Sequence, residues 1–112
     1  MQYIEENLGS KTADYARAIK SLQEELEAIS YYQQRADTVA DSELKEIVGH
    51  NRDEEIEHAC MLIEWLRRNM PAWDENLKTY LFTTAPLTEV EESSAGGSGG
   101  STDGDLSIRG MK

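Results

Sequence analysis

Positive charge is scarce in this chain: 11 lysines and arginines stand against 22 aspartates and glutamates, for a net charge of −11 over 112 residues. A nucleic-acid partner demands a basic face, so that class of function is set aside. The acid excess favours attraction of cations, while for most of the carboxylates solubility alone is a sufficient reading. No apolar run approaches membrane-spanning length, and no membrane partner is expected. Met1-Gln2-Tyr3-Ile4-Glu5-Glu6 is polar and acidic, without a secretory pattern. The single cysteine, Cys60, cannot form an intrachain disulfide, which fits a reducing, cytoplasmic setting. It reads as a packed small residue and not as a ligand. Of the two prolines, Pro71 stops one helix and can start another, and Pro86 closes the helical region.

What is present reads as helix. Residues 1–9 form an arm ending at Gly9. Ser10 or Thr12 is placed to cap a first helix running to about Asp37, with Ile19, Leu22, Leu26 and Ile29 as its apolar stripe. Thr38-Val39-Ala40-Asp41-Ser42 is a short connection, with Asp41 or Ser42 as N-cap and Glu43 in the first turn. So short a connection makes the two helices antiparallel neighbours. The second helix runs from about Ser42 to Asn69, with Arg67 and Arg68 at its C-terminal end and Gly49 as a weak point in its interior. Trp73, Leu77, Tyr80 and Leu81 give a short third helix with one apolar face. A structured part of roughly residues 10–82 has a thin core alone and gains from oligomerisation.

The chemistry lies in the second helix. Leu44, Val48, Asn51, Glu55, His58, Leu62 and Trp65 follow at steps of four or three and share one stripe. The stripe is apolar at its ends and carries Glu55 and His58 in its middle. A carboxylate against a core needs a partner, and Glu and His three residues apart can turn toward one metal ion. The same spacing also serves a surface Glu–His pair; the apolar neighbours favour a site. Glu25, between Leu22 and Ile29, borders the core in the same way, and Tyr32 follows it on the same side. Glu24 and Glu27 point elsewhere, toward the flank or the surface. His50 is turned off the stripe and reads as a surface histidine.

A di-iron carboxylate bundle takes two Glu-x-x-His units and two further glutamates from four helices. This chain offers one such unit, one core-edge glutamate and two long helices, which is half of each. Two copies about a twofold axis complete the set. The fold expected is therefore all-α: an antiparallel two-helix hairpin plus a short C-terminal helix, forming a ferritin-like four-helix bundle only on dimerisation. Carboxylate and imidazole suit iron, manganese or zinc. Two rival readings stand beside an enzyme: a structural cargo or adaptor in which Glu25, Glu55 and His58 form only a polar network, and a zinc or manganese module without turnover.

From Glu91 the composition changes to a Gly/Ser-rich tether. A short tail follows, Leu106-Ser107-Ile108-Arg109-Gly110-Met111-Lys112, whose Leu106 and Ile108 suit docking. The expected division is a helical half-bundle domain over 1–90, a linker over 91–105 and a docking segment over 106–112.

Ser21-Leu22-Gln23-Glu24-Glu25-Leu26-Glu27-Ala28, the pair Tyr31-Tyr32, His50-Asn51-Arg52-Asp53-Glu54-Glu55-Ile56-Glu57-His58 and Glu64-Trp65-Leu66-Arg67-Arg68 closely resemble the encapsulated ferritins, cargo proteins of encapsulin nanocompartments. The resemblance continues through Trp73 to Phe82 and the linker, and Leu106-Ser107-Ile108-Arg109-Gly110 looks like an encapsulin-targeting peptide. The resemblance implies a ferroxidase that oxidises Fe(II) with dioxygen at a di-iron centre between two subunits. It also implies five such dimers closed into a decameric ring, inside an encapsulin shell in a bacterial or archaeal cytoplasm. The matching catalytic and metal residues are Glu25, Glu55 and His58, with Tyr32 behind them. Glu24 and Glu27, beside Tyr31, match a site where metal enters above the centre. Calcium, zinc or manganese are further ions for either site. Tyr31 stands where related members often carry Trp.

Overall fold

The computed structural model describes residues 6–97. Four helices follow in order, α1 (Ser10–Thr38), α2 (Ser42–Asn69), α3 (Pro71–Tyr80) and α4 (Leu87–Gly97), with no strand among the described residues. Two compact units divide the chain between Leu66 and Arg67.

The first unit is the α1/α2 hairpin. Its start differs from expectation in one detail. Gly9 occupies the N-cap and no side chain caps α1; Ser10 is already helical, and Ala13 N–H donates to the Gly9 carbonyl at 2.9 Å. At the other end, Val39 adopts extended backbone while its N–H donates to the Arg35 carbonyl at 2.9 Å. Only residues 39–41 separate the two helices. Asp41 is the cap of α2: its Oδ2 accepts the Leu44 N–H at 2.8 Å, satisfying a donor that the first turn cannot.

Cross-helix pairs fix the direction. Tyr15 meets Trp65 edge-on with ring centroids 6.1 Å apart, Glu25 Oε1 lies 3.7 Å from His58 Nδ1, and Arg52 Nη1 donates to Gln33 Oε1 at 3.1 Å. As the number rises on α1 it falls on α2, so the helices are antiparallel. The buried seam is Ala18, Leu22 and Ala36 against Val48, Ala59 and Leu66. Half of it is alanine, so the seam is narrow and buries little apolar surface. Leu44, Ile47 and Trp65 remain substantially exposed on α2, as do Ile19 and Leu26 on α1. No polar or charged residue is buried among the described residues.

Two sequence readings change here. The seam of α2 runs through Val48, Ala59 and Leu66, so the stripe meets it at Val48 and Glu55 lies half-buried at its margin, while Leu44, His58 and Trp65 are exposed. Cys60 is exposed and not packed, because it lies one position, about 100° around the helix, from Ala59.

Gly49 lies inside α2, and a Cβ added there would meet only Arg52 Nη2, at 3.7 Å. That is ordinary contact with the end of a flexible side chain, so close helix approach does not require glycine. Gly49→Ala is expected to stabilise the chain by about 1 kcal/mol, the helix-propensity difference. The check is a rise in the urea midpoint at unchanged m-value; a lower midpoint would contradict it.

The second unit begins in the last turn of α2. Met70 leaves the helix with extended backbone (φ −130°, ψ 112°), as a residue before proline prefers, and Pro71 opens α3. Asp74 binds Arg67 through one carboxylate oxygen and Lys78 through the other, at 3.1 Å. The hydrogen bond to Lys78, then that to Arg67, hold its carboxyl below the usual range. Pro86 does not end the helical region: its carbonyl accepts the N–H groups of Glu89 and Val90 at 2.9 and 3.0 Å and starts α4, which lies against α3. Residues 91–97, the beginning of the expected linker, are thus helical. The rest of that linker and the expected docking segment, 106–112, lie outside the described residues.

Candidate metal centre

The hairpin places three donor groups from two helices on its open side. Glu25 comes from the middle of α1, and Glu55 and His58 from one turn of α2. His58 Nδ1 lies 3.1 Å from Glu55 Oε1 and 3.7 Å from Glu25 Oε1. One ligand atom from each of the three falls within 4.8 Å of the others. The two glutamate side chains are about a quarter exposed and the imidazole about half. The cluster therefore sits at the edge of the apolar seam, reachable from solvent.

Three anionic or basic groups this close perturb one another. The Glu25 carboxyl is held above the ordinary range, first by a hydrogen bond with Glu55, then by burial and by the Glu55 charge. Glu55 is lowered by that same bond and then by His58. The His58 imidazole is raised above its ordinary value of 6.5, first by its hydrogen bond to Glu55 and against the effect of burial.

This arrangement gives metal binding a defined pH response. Ligands must lose their protons to bind a metal. Glu25 and His58 hold theirs to higher pH than the free groups do, whereas Glu55 gives its proton up sooner. Affinity for a divalent ion is expected to be fully developed above the raised His58 range and to fall as pH drops through it, then further as Glu25 protonates. Calorimetric titration with Zn(II) in two buffers of different ionisation enthalpy checks this. Heats that do not depend on the buffer near neutral pH would contradict it.

The remaining expected residues occupy a neighbouring part of α1. Tyr32 is half-buried and lies seven residues after Glu25, about two turns on along the same side. Glu24, Glu27 and Tyr31 are exposed on the outer face, where the Tyr31 hydroxyl donates to Glu27 Oε2 at 3.3 Å. His50 is on the surface as expected, with Nε2 3.2 Å from Glu54 Oε2. One residue escaped the sequence reading. The Arg35 guanidinium carbon lies 5.8 Å from the Tyr31 ring centroid and 5.5 Å from that of Tyr32. Its spacing, four residues after Tyr31 and three after Tyr32, was the available signal.

These features define a helical hairpin with a carboxylate–imidazole cluster able to hold a metal ion, and the comparisons with known proteins agree on the lineage. A family model described as EncFtn-like matches residues 1–84. A ferritin-like protein of Thermotoga maritima is 58% identical over 102 residues, covering 91% of this chain and 89% of that protein. An encapsulated ferritin-like protein of Rhodospirillum rubrum is 51% identical over 98 residues, covering 88% of this chain and 70% of that protein. A crystal structure of a Nitrosomonas europaea protein matches with a TM-score of 0.75 at 54% identity, covering 78% of this chain and 98% of that one. The chain belongs to the EncFtn-like family, the encapsulated ferritins. No described helix is long and apolar enough to cross a membrane.

Proposed function

We propose that the protein is a ferroxidase: it oxidises Fe(II) to Fe(III) with dioxygen at a di-iron centre formed between two copies of the chain, and it works as encapsulin cargo that supplies ferric iron for storage in the shell. The observation that carries this reading is the convergence of Glu25, Glu55 and His58 on the open side of a hairpin that is half a bundle. Two carboxylates and one imidazole are oxygen and nitrogen donors suited to iron, and no thiolate is among them. A twofold axis beside this face doubles the donors and covers Leu44, Ile47 and Trp65, which one protomer leaves exposed.

Iron is the substrate, and it supplies the one-electron chemistry. The chain's own groups hold and orient it. Glu55, with its lowered affinity for a proton, is the carboxylate most ready to receive a cation. Glu25 offers a carboxylate oxygen and His58 a ring nitrogen beside it. Glu24 and Glu27 form an acidic approach on the outer face of α1, where a local negative potential concentrates cations. Tyr31 stands beside them and Tyr32 behind the centre. A decameric ring of five dimers and docking through 106–112 complete the proposal.

Addition of Fe(II) in air, followed by ultraviolet absorbance of ferric oxo species, tests it. A rate well above buffer supports the ferroxidase. Binding of Fe(II) without faster oxidation would mark a redox-silent zinc or manganese module. Neither binding nor rate would leave a structural helical cargo with a polar network.

A further inference from the structure

Arg35 belongs to none of the groups named so far, yet it touches two of them. It lies on α1, and its guanidinium is within cation–π reach of two consecutive tyrosine rings, Tyr31 and Tyr32. These rings project from different sides of the helix, since successive residues are about 100° apart. Tyr31 is turned to the outer face and is tied there by its hydroxyl to Glu27. Tyr32 is on the side of Glu25. One planar cation between them restrains both, and the outer ring has a second anchor, so Arg35 is fixed from the outside and acts inward on Tyr32.

Arg suits this place better than Lys. Its guanidinium is flat, always charged and stacks on aromatic faces, whereas an ammonium is a compact, strongly hydrated point. A tyrosine is otherwise free to swing about χ1 and χ2 on a largely exposed turn, and catalytic geometry is sensitive to displacements of an ångström.

We propose that Arg35 is the positioning residue for Tyr32, its guanidinium shared between the Tyr31 and Tyr32 rings so that the Tyr32 phenol stays directed to the metal-binding side of α1. This rests on the ferroxidase reading, in which Tyr32 lies behind the centre. Arg35 itself touches neither the substrate nor the ligands.

The test uses the full chain with Arg35→Met, which keeps an unbranched apolar stem and removes the cation, and Arg35→Lys, which restores the charge. Two readouts are taken: the rate at which tetranitromethane nitrates Tyr31 and Tyr32 in metal-free protein, located by peptide mass, and the steady-state kinetics of Fe(II) oxidation. Arg35→Met is expected to nitrate faster at both rings and to lose about tenfold in kcat with KM for Fe(II) unchanged, the pattern of a misplaced group and not of lost binding. Arg35→Lys is expected to recover part of both. An unchanged kcat in Arg35→Met, in a background where the parent chain is active, overturns the inference alone, whatever the nitration pattern. A parent chain that does not oxidise iron overturns the ferroxidase reading and this inference with it.

Discussion

Glu25→Ala, Glu55→Ala and His58→Ala are each expected to lower Fe(II) oxidation by more than about 100-fold, since even the outer partners of metal ligands cost ~10–100-fold when removed. The sharing of the centre proposed above makes the expected effect large. In a centre built about a twofold axis every substitution is made twice, so one change strips two ligands of the same kind from one site. The folded hairpin is expected to survive, because none of the three side chains belongs to the buried seam of Ala18, Leu22, Ala36, Val48, Ala59 and Leu66. Far-ultraviolet circular dichroism separates lost ligation from lost fold, and sedimentation shows whether the dimer still forms. Metal is expected to promote assembly of the proposed dimer, which sedimentation with and without metal checks: an ion that binds only the paired state stabilises it by mass action. Full activity in a proven monomer would overturn the shared centre.

Removal of residues 104–112 is expected to leave iron oxidation unchanged and to eliminate loading into encapsulin shells on co-expression. The cluster of Glu25, Glu55 and His58 lies wholly within α1 and α2, far in sequence from the tail. Leu106 and Ile108 alternate, so an extended tail sets both on one side, as a strand added to a groove would. A Gly/Ser-rich tether lets many copies reach docking sites without matching the symmetry of the shell. Co-purification of the truncated chain with shells at the parent level would refute docking through this segment. The isolated protein is also expected to hold no large soluble ferric core, because about 70 helical residues do not close a shell; a soluble mineral in the absence of encapsulin would refute that division of labour.

The hairpin was legible because its punctuation is chemical. Asp41 can cap only where a helix begins, and the residue before Pro71 avoids helical backbone, so both ends of α2 fall where the sequence puts them. Glu55 and His58 were legible because they interrupt an apolar stripe, and Glu25 because it sits between Leu22 and Ile29. Periodicity did less well on burial. It located a stripe without telling its centre from its margin, and the alanines, weak as hydrophobic signals, turned out to hold the seam. Cys60 was misplaced for the same reason. The helix after Pro86 was hidden by composition: Glu91-Glu92-Ser93-Ser94 leads into glycines and reads as tether, although a proline carbonyl starts a helix as well as any other. Arg35 was not legible, because a cation over two rings carries no motif.

The three-residue connection between α1 and α2 bears on how the protein comes to be folded at all. Joining the helices through so short a turn keeps the loop-closure entropy small, and contacts between elements adjacent in the chain form early and quickly. Glu25, Glu55 and His58 therefore meet as soon as the hairpin zips shut, on one newly made chain. If the centre is shared between two copies as proposed, each copy brings half of it already shaped, and pairing aligns two finished surfaces instead of organising a disordered one.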